Sequence, residues 1–279
     1  MRQIPTVTTR SGVMVPQVGF GTYKVTENTA AIVTSALEVG YRHVDTAQMY
    51  GNETEVGEGW RASGLPREDI FLTSKLNNPN HAPEDARRTF EQTLIDLQTD
   101  YVDLFLIHWP VPMHYCGDFA STWAVLEEFA AEGRARSIGV SNFEAHHLEQ
   151  LFQTAKTLPE VNQIESHPYF AEVELHAFNA KHGIVTEAWS PLARGTLLTD
   201  PVLERIGKEH GRSPSQVALR WGVQRGDIVL PKSSTPLRQR ENLDLFGFEL
   251  SDADMREIYA LDRGERGRTG KHPDLMDRM

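Results

Sequence analysis

Cysteine is almost absent from this sequence of 279 residues, because Cys116 is the only one. A single cysteine cannot form a disulfide within the chain, and this is typical of proteins in a reducing compartment. Long apolar runs are lacking too: no stretch approaches the roughly 18 residues of a membrane span, and residues 1–10 contain no apolar core of a secretion signal. We therefore expect a cytoplasmic protein with no membrane partner.

Positive charge is also in short supply, because 28 Lys and Arg stand against 39 Asp and Glu, a formal net charge of −11. This acidic excess argues against a general nucleic-acid surface, so we expect no nucleic-acid partner. Hydrophobic residues make up 39% of the chain, which suffices for a substantial core.

Eight short apolar runs are present, and helical patterns separate them. The runs are residues 18–20, 42–45, 70–74, 102–107, 137–140, 161–164, 184–188 and 228–230. The stretches 84–97 and 146–155 are among those that place apolar residues on one helix face. This alternation is typical of a parallel sheet covered by helices. Residues 6–9 and 13–15 predict a β-hairpin before the first run.

Two architectures fit this alternation. Eight βα units in about 250 residues favour a closed (β/α)8 TIM barrel, whereas an open doubly wound sheet would bind a dinucleotide at a glycine-rich turn. The nearest candidate turn, residues 19–21, lacks its third glycine because residue 24 is a lysine, and no GxxxxGK[ST] motif occurs. We predict an α/β fold, a (β/α)8 TIM barrel with an N-terminal β-hairpin, as a single domain over residues 1–279.

Ionisable side chains follow several predicted strands, at the barrel end where catalytic groups gather. Asp45 closes the second run, Lys75 follows the third and His108 follows the fourth. Tyr50 comes five residues after Asp45. Each residue alone fits an ordinary cap, ion-pair partner or rim position. Four such groups beside buried runs are costly unless they are paired, so together they predict a functional site.

The four residue types suit proton transfer to an oxygen atom. A free tyrosine has a pKa of about 10, and the ammonium of Lys75 beside Tyr50 is expected to lower that pKa. Asp45 would keep Lys75 charged, while His108 would orient a carbonyl oxygen by hydrogen bonding. This set protonates an oxygen while another group attacks the carbon, so a hydride donor is the missing component.

Several ordered motifs resemble those of the aldo-keto reductases, and most closely the bacterial 2,5-diketo-D-gluconate reductase group. The motifs are GFGTYK (19–24), GYRHVDTAQMYGNE (40–53), TSKL (73–76), VDLFLIHWP (102–110), SIGVSNF (137–143), VNQIESHP (161–168) and VLPKSS (229–234). The resemblance implies an NADPH-dependent reductase of aldehydes and ketones, keto-sugars or α-dicarbonyls among them. It also implies a catalytic tetrad of Asp45, Tyr50, Lys75 and His108, with Tyr50 as proton donor.

The resemblance further implies the residues that bind NADPH/NADP+. Trp189 would stack on the nicotinamide, with Ser141, Asn142 and Gln163 on its carboxamide. The full implied set is Gly21, Thr22, Tyr23, Asp45, Ser141, Asn142, Gln163, Trp189, Ser190, Leu192, Lys232, Ser233, Ser234, Arg238, Glu241 and Asn242.

Residues 231–242, PKSSTPLRQREN, form a basic segment in an acidic protein. Thr235 and Pro236 predict the N-cap and first residue of a helix, whose first backbone N–H groups are free to bind an anion. Lys232, Ser233 and Arg238 beside that terminus suit a phosphate. The resemblance places the adenosine 2′-phosphate there.

The predicted substrate contacts are Tyr23, Met49, Tyr50, His108 and Trp109. Many relatives carry a tryptophan where this chain has Asn77, which implies an opened pocket wall. We expect the C-terminal segment, with Arg268 and His272, to be a solvated charged tail.

Two other functions fit parts of the pattern. A binding module on the same barrel would keep NADPH but turn over slowly. A metal-dependent hydrolase would use His43, Asp45 and His108 as ligands, although Lys75 would then lie beside a cation. The sequence favours the reductase, with a small carbonyl compound as partner and no metal, and the resemblance implies a monomer.

Overall fold

The first two strands form a hairpin near the N-terminus. The computed structural model describes residues 4–279, except for the side chain of Cys116. β1 (Thr6–Thr8) and β2 (Met14–Pro16) are antiparallel and pair Val7 with Val15. The connecting turn contains Gly12, whose φ of 89° is readily adopted only by glycine. The predicted hairpin is confirmed, with slightly different strand ends.

The other eight strands described in residues 4–279 are parallel and neighbour one another in chain order. They are β3 (Phe20–Gly21), β4 (His43–Asp45), β5 (Phe71–Leu76), β6 (Val102–Ile107), β7 (Ala135–Ser141), β8 (Val161–Glu165), β9 (Val185–Trp189) and β10 (Ile228–Leu230). A parallel bridge between Val18 and Val229 joins the two edges, and Gly19 N donates to Val229 O at 2.9 Å. The bridge closes the sheet, which confirms the predicted (β/α)8 barrel.

Ten α-helices accompany these strands within residues 4–279. They are α1 (Thr29–Val39), α2 (Glu53–Ala62), α3 (Pro83–Asp96), α4 (Ala120–Ala131), α5 (Ala145–Phe152), α6 (Val173–Lys181), α7 (Pro201–His210), α8 (Pro214–Gln224), α9 (Pro236–Leu243) and α10 (Asp252–Tyr259). Local sequence explains some starts: Ser213 and Gln216 form a reciprocal capping box before α8. None of the helices described between residues 4 and 279 has the length and apolar character needed to cross a bilayer.

Several predicted boundaries were shifted, and two of them are informative. Lys75 lies inside β5 rather than after the predicted strand 70–74, because Leu76 still pairs with Ile107 of β6. A lysine is tolerated there because its ammonium meets the carboxylate of Asp45 on the neighbouring strand. The predicted helix 146–155 corresponds to α5, which already ends at Phe152.

The barrel interior combines apolar and polar side chains. Seven buried apolar side chains, one of them from the hairpin, pack together there: Val15, Phe71, Leu104, Leu106, Val161, Ile228 and Leu230. Alternate residues of a strand share one face, so Phe71, Thr73 and Lys75 all point inward from β5. Thr73 Oγ1 lies 3.0 Å from His43 Nε2, and Lys75 contacts Asp45 nearer the carboxyl ends. The polar groups therefore gather where the strands end.

Candidate active site

A buried ion pair between Asp45 and Lys75 forms the base of the site. Lys75 Nζ lies 2.8 and 2.7 Å from the two carboxylate oxygens of Asp45 and donates to Thr46 O at 2.9 Å. Burial by itself would lower the pKa of Lys75, but the charges of Asp45 and Tyr50 and the hydrogen bond to Asp45 raise it above its ordinary value. The ammonium therefore stays charged within the barrel.

Tyr50 is brought to this pair by a short 3₁₀ turn, Gln48–Tyr50, that follows β4. Its hydroxyl lies 3.4 Å from Lys75 Nζ, and the ammonium lies 5.1 Å from the ring centroid. Burial raises the pKa of Tyr50 to about 12, while the charge of Lys75 opposes the rise. Lys75 lowers the pKa of Tyr50, as expected. The predicted net lowering was wrong, because desolvation of the phenolate raises this pKa by more than Lys75 lowers it.

His108 completes the predicted set from the loop after β6. Its ring meets the Tyr50 ring edge-on, with centroids 5.7 Å apart. Burial and the charge of Lys75 hold the pKa of His108 well below its usual range, so the imidazole is neutral. Among the described residues, no hydrogen-bond partner reaches its buried Nδ1. The structure thus brings Asp45, Tyr50, Lys75 and His108 together.

The same geometry weighs against the hydrolase alternative. A cation on Asp45 would have to displace Lys75, which already contacts both carboxylate oxygens. His43 lies deeper, with Nε2 on Thr73 Oγ1 and Nδ1 3.4 Å from Pro16 O. Burial lowers the pKa of His43 to about 3, so this imidazole is neutral and occupied.

Four residues named as nicotinamide contacts form one hydrogen-bonded wall. Trp189 Nε1 donates to Asn142 Oδ1 at 2.8 Å, and Asn142 Nδ2 donates to Ser141 Oγ at 3.0 Å. Ser141 Oγ donates to the backbone carbonyl of Gln163 at 2.8 Å. Asn142 adopts a φ of 62°, a left-handed conformation that asparagine tolerates better than most residues. The wall holds the half-buried Trp189 indole at the strand ends.

The opposite side of the mouth is formed by the segment after β3. Thr22 donates through N and Oγ1 to Asp45 O, at 3.0 and 2.9 Å. A Cβ on Gly21 would lie only 3.3 Å from Leu230 O, so a side chain there would crowd β10. Tyr23 is 47% exposed, and its ring centroid lies 5.0 Å from that of Tyr50. These residues place an accessible aromatic ring beside the tetrad.

The basic segment lies immediately after β10. α9 begins at Pro236 with Thr235 as N-cap, as predicted, and no side chain caps this terminus by a hydrogen bond. Lys232 and Arg238 are exposed, and neither forms an ion pair with any acidic group in residues 4–279. Two cations without acidic partners beside free backbone N–H groups suit a phosphate.

The remaining implied cofactor residues surround this segment and the loop after β9. Ser233 Oγ accepts from Thr235 N at 3.3 Å, and Ser234 is exposed. Glu241 Oε1 accepts from Ser215 Oγ at 3.2 Å. Asn242 of α9 is buried. In the loop after β9, Ser190 has a φ of 50° and Leu192 is half-buried.

The C-terminal tail docks on the barrel mouth, so the expectation of a solvated tail was wrong. Thr269 N and Gly270 N donate to the buried Glu165 at 2.7 and 2.8 Å. A Cβ on Gly270 would lie 2.5 Å from Trp189 Cη2, so only glycine fits against the indole. Arg268 lies within 3.4 Å of acidic oxygens on Glu144, Glu172 and Glu265. The buried Glu165, the ion pairs of Arg268 and this close packing hold the tail.

A second contact ties the tail to α5. Asp274 Oδ1 lies 3.0 Å from His146 Nε2 and 3.1 Å from His147 Nε2. Although two histidines and a carboxylate can bind a metal, His147 Nδ1 accepts the backbone N–H of Glu144 at 3.1 Å. Burial lowers the pKa of His147 to about 4, so this ring is neutral and its proton lies on Nε2, which leaves no lone pair on that nitrogen for a metal.

Comparison with known proteins agrees with this geometry. A family profile for the aldo/keto reductase family matches residues 17–263. An aldo-keto reductase of Mycolicibacterium smegmatis is 47% identical over 263 residues, covering 94% of this chain and 95% of the relative. Glyoxal reductase of Bacillus subtilis is 45% identical over 271 residues, covering 96% of each chain.

A solved structure gives the same result. The crystal structure of Gox0644 in its apoform superposes with a TM-score of 0.94 at 41% identity, covering 99% of this chain and all of that one. A variant of Gox0644 has also been solved in complex with NADPH.

The chain belongs to the aldo/keto reductase family. Members of this family use NADP(H), so the chain is an NADP(H)-dependent oxidoreductase. The match covers the barrel and all four tetrad positions. Membership of the 2,5-diketo-D-gluconate subgroup stays a prediction.

A buried apolar cluster beside the tetrad of this aldo/keto reductase includes a residue of its own tail. Trp109, Val111 and Met276 form a buried apolar cluster, against which Met49 and Trp189 also pack. Met49 and Trp109 were expected there, whereas Met276 was not. Asn77 is the N-cap of a 3₁₀ turn, Asn78–Asn80. Its Oδ1 accepts a hydrogen bond from Asn78 N at 2.9 Å.

Two buried acids of the reductase were missed by sequence reasoning. Glu165 anchors the tail, and Glu187 lies in the barrel interior with its side chain fully buried. Both could have been predicted, because residues two apart in a strand lie on the same face. Glu187 precedes the predicted site residue Trp189 by two, and Glu165 follows the predicted site residue Gln163 by two.

Proposed function

We propose that this aldo/keto reductase uses NADPH to reduce small aldehydes and ketones to alcohols, with Tyr50 as the proton donor. The observation that carries the proposal is the 3.4 Å contact between the Tyr50 hydroxyl and Lys75, which Asp45 holds with both carboxylate oxygens. With a pKa of about 12, Tyr50 keeps its proton at neutral pH and can donate it. The adjacent ammonium then stabilises the phenolate that remains.

The neutral His108 complements this donor. Its ring lies edge-on to Tyr50 and is held by burial, so it can orient a carbonyl oxygen toward the phenolic hydroxyl. A neutral imidazole donates a hydrogen bond without delivering a proton of its own, so the two roles stay separate. Met276 and Trp109 pack together beside these residues, and such apolar side chains would restrict the access of water to a bound carbonyl group.

The residues at the mouth fit NADPH. Trp189 presents a fixed, half-buried indole face for stacking, and Asn142, Ser141 and Gln163 offer amide and hydroxyl groups beside it. When bound, NADPH supplies the hydride that the carbonyl carbon receives. Lys232 and Arg238 would hold the 2′-phosphate, because they are exposed cations without acidic partners in the described chain.

Small α-dicarbonyls and keto-sugars are the proposed substrate class. An apolar, aromatic pocket wall beside a polar tetrad suits compact compounds with several oxygens. The 45% identity with a glyoxal reductase supports the dicarbonyl part of this class. We further propose that residues 1–279 act as one barrel unit, in the cytoplasm and as a monomer.

A panel of aldehydes, α-dicarbonyls and keto-sugars tests the proposal through NADPH absorbance. We expect turnover, with Tyr50→Phe as the inactive control. If NADPH binds tightly but no carbonyl consumes it, the binding module becomes the better account. Failure to bind NADPH would contradict the proposal more directly.

A further inference from the structure

A buried carboxyl group beneath the tetrad has no part in the mechanism proposed above. Glu187 is fully buried in β9, with Oε2 2.7 Å from Gln163 Nε2 and Oε1 3.7 Å from His43 Nε2. Within residues 4–279, no donor or acceptor forms a hydrogen bond with its Oε1. Burying a carboxyl group in a barrel is costly, so its contacts call for an explanation.

The most specific of these contacts is with the side-chain amide of Gln163. Gln163 Nε2 donates to Asp45 Oδ2 at 2.8 Å and to Glu187 Oε2 at 2.7 Å. An amide nitrogen carries only two hydrogens, so Asp45 and Glu187 together use both. This fixes the rotation of the amide, and its carbonyl oxygen remains the free end.

The charge of Glu187 matters to the same group of residues. Burial and the negative charge of Asp45 raise the pKa of Glu187 to about 8, although Gln163 and Lys75 oppose the rise. His43 is neutral, and Ile228, opposite Glu187 on β10, is apolar. The raised pKa favours the protonated form of Glu187 at neutral pH, and in that form it adds no second anion beside Asp45.

We propose that Glu187 is a positioning residue for carbonyl reduction. Its carboxyl group orients the amide of Gln163, which supports Asp45 on one side and offers its carbonyl oxygen to the nicotinamide carboxamide on the other. This inference rests on the proposed function. It assigns to Glu187 no contact with substrate or cofactor.

Two substitutions separate orientation from packing. Glu187→Gln keeps the acceptor for Gln163 and cannot ionise. Glu187→Leu keeps much of the volume and leaves one N–H of Gln163 without a partner. An unsatisfied buried donor corresponds to roughly 5- to 150-fold in an equilibrium or rate.

The first measurement needs no cofactor. The side-chain amide signals of Gln163 are followed by ¹H–¹⁵N NMR from about pH 6 to pH 9.5, after identification by their loss in Gln163→Leu. We expect a titration with a midpoint near the pKa of about 8 in the wild type, and none in Glu187→Gln. As a matched control, Glu53→Gln removes another buried acid that bonds Ser74 and Thr93, and it should leave this titration in place.

The second measurement uses the complete enzyme at pH 7. For Glu187→Leu we expect kcat to fall about 5- to 150-fold, or NADPH to bind more weakly by a similar factor. Glu187→Gln should lie within about threefold of the wild type, a rescue that packing alone does not predict. Thermal unfolding verifies that each variant is folded.

Two results would overturn the inference. One is a Gln163 amide whose signals do not respond to pH or to either substitution. The other is a folded Glu187→Leu variant with wild-type kcat and NADPH affinity. If Glu187→Leu does not fold, the NMR titration of the Gln163 amide in the wild type and in Glu187→Gln still tests the inference. If the wild type reduces no carbonyl, the proposed function fails, while the NMR titration still tests the contact.

Discussion

The ammonium of Lys75 lies 3.4 Å from the hydroxyl of Tyr50 and 5.1 Å from the centroid of its ring. This contact exists because β4 and β5 are neighbours, so the turn after one strand comes back over the inward face of the other. It opposes, without cancelling, the rise in the pKa of Tyr50 that burial causes. A proton donor that stays protonated next to a fixed cation is the central feature of this site.

Removing the hydroxyl of Tyr50 tests the donor directly. Tyr50→Phe keeps the ring and its packing, so folding and NADPH affinity should survive. General acid catalysis contributes about 10²- to 10⁴-fold, so kcat for carbonyl reduction should fall by at least that order. Near-normal turnover measured by NADPH absorbance would remove Tyr50 from its role.

Lys75 and Tyr50 should act as one unit. Lys75→Met should also reduce kcat strongly, and its effect should be non-additive with Tyr50→Phe in the double mutant, because both disable the same donor. Losses that multiply would indicate independent roles.

Lys75→Met also leaves Asp45 as an unpaired buried charge, which costs about 3–5 kcal/mol of stability. Asp45→Asn combined with Lys75→Met removes that charge. If stability returns in this variant and activity does not, the loss of activity is not a consequence of unfolding.

Arg238 is expected to recognise the 2′-phosphate. Arg238→Ala should weaken NADPH binding by roughly 10- to 150-fold, because a charge-assisted hydrogen bond contributes about 1.5–3 kcal/mol. NADH binding should stay almost unchanged. Arg240→Ala, on the same helix, serves as the matched control. Equal losses for both cofactors in fluorescence titrations would contradict the assignment.

Met276 is expected to shape the substrate pocket from the tail. Met276→Ala removes a buried contact with Trp109 and should change the ratio of kcat/KM between bulky and small carbonyls by about 10-fold, with NADPH affinity unchanged. Leu275→Ala is the control, because Leu275 is 66% exposed. A uniform response across the substrate panel would place Met276 outside the pocket.

Stability should depend on pH through Glu53. Burial raises the pKa of this carboxyl group to about 7 from an ordinary 4.5, despite hydroxyl donors on Ser74 and Thr93. Because the folded pKa is the higher one, its stabilising contribution is complete below about 4.5 and is lost as the pH rises through 7.

Glu53→Gln cannot ionise, so it should flatten the fall in Tm between about pH 5 and pH 8. Glu55→Gln, exposed on the same helix, should not. If Tm falls with pH as steeply in Glu53→Gln as in the wild type, Glu53 is not the cause of the pH dependence.

The sequence by itself determined the barrel and the four residues at its mouth. Eight buried runs alternating with helices leave few architectures, and in a closed parallel barrel the strand ends meet at one rim. Asp45, Tyr50 and His108 could therefore be assigned to one place from their positions alone. The same argument brought in Lys75, although the end of its strand was predicted too early.

Only the tertiary structure decided how these groups are charged and covered. The docking of the tail depends on a hydrogen bond between Thr269 and Glu165, which are 104 residues apart. The side-chain amide of Gln163 donates to Asp45, 118 residues away. The net pKa of Tyr50 depends on how completely the folded chain removes water from its hydroxyl. Contacts between distant residues, and the burial of Tyr50 that follows from them, arise only when the strands close, so no local pattern in the sequence reports them.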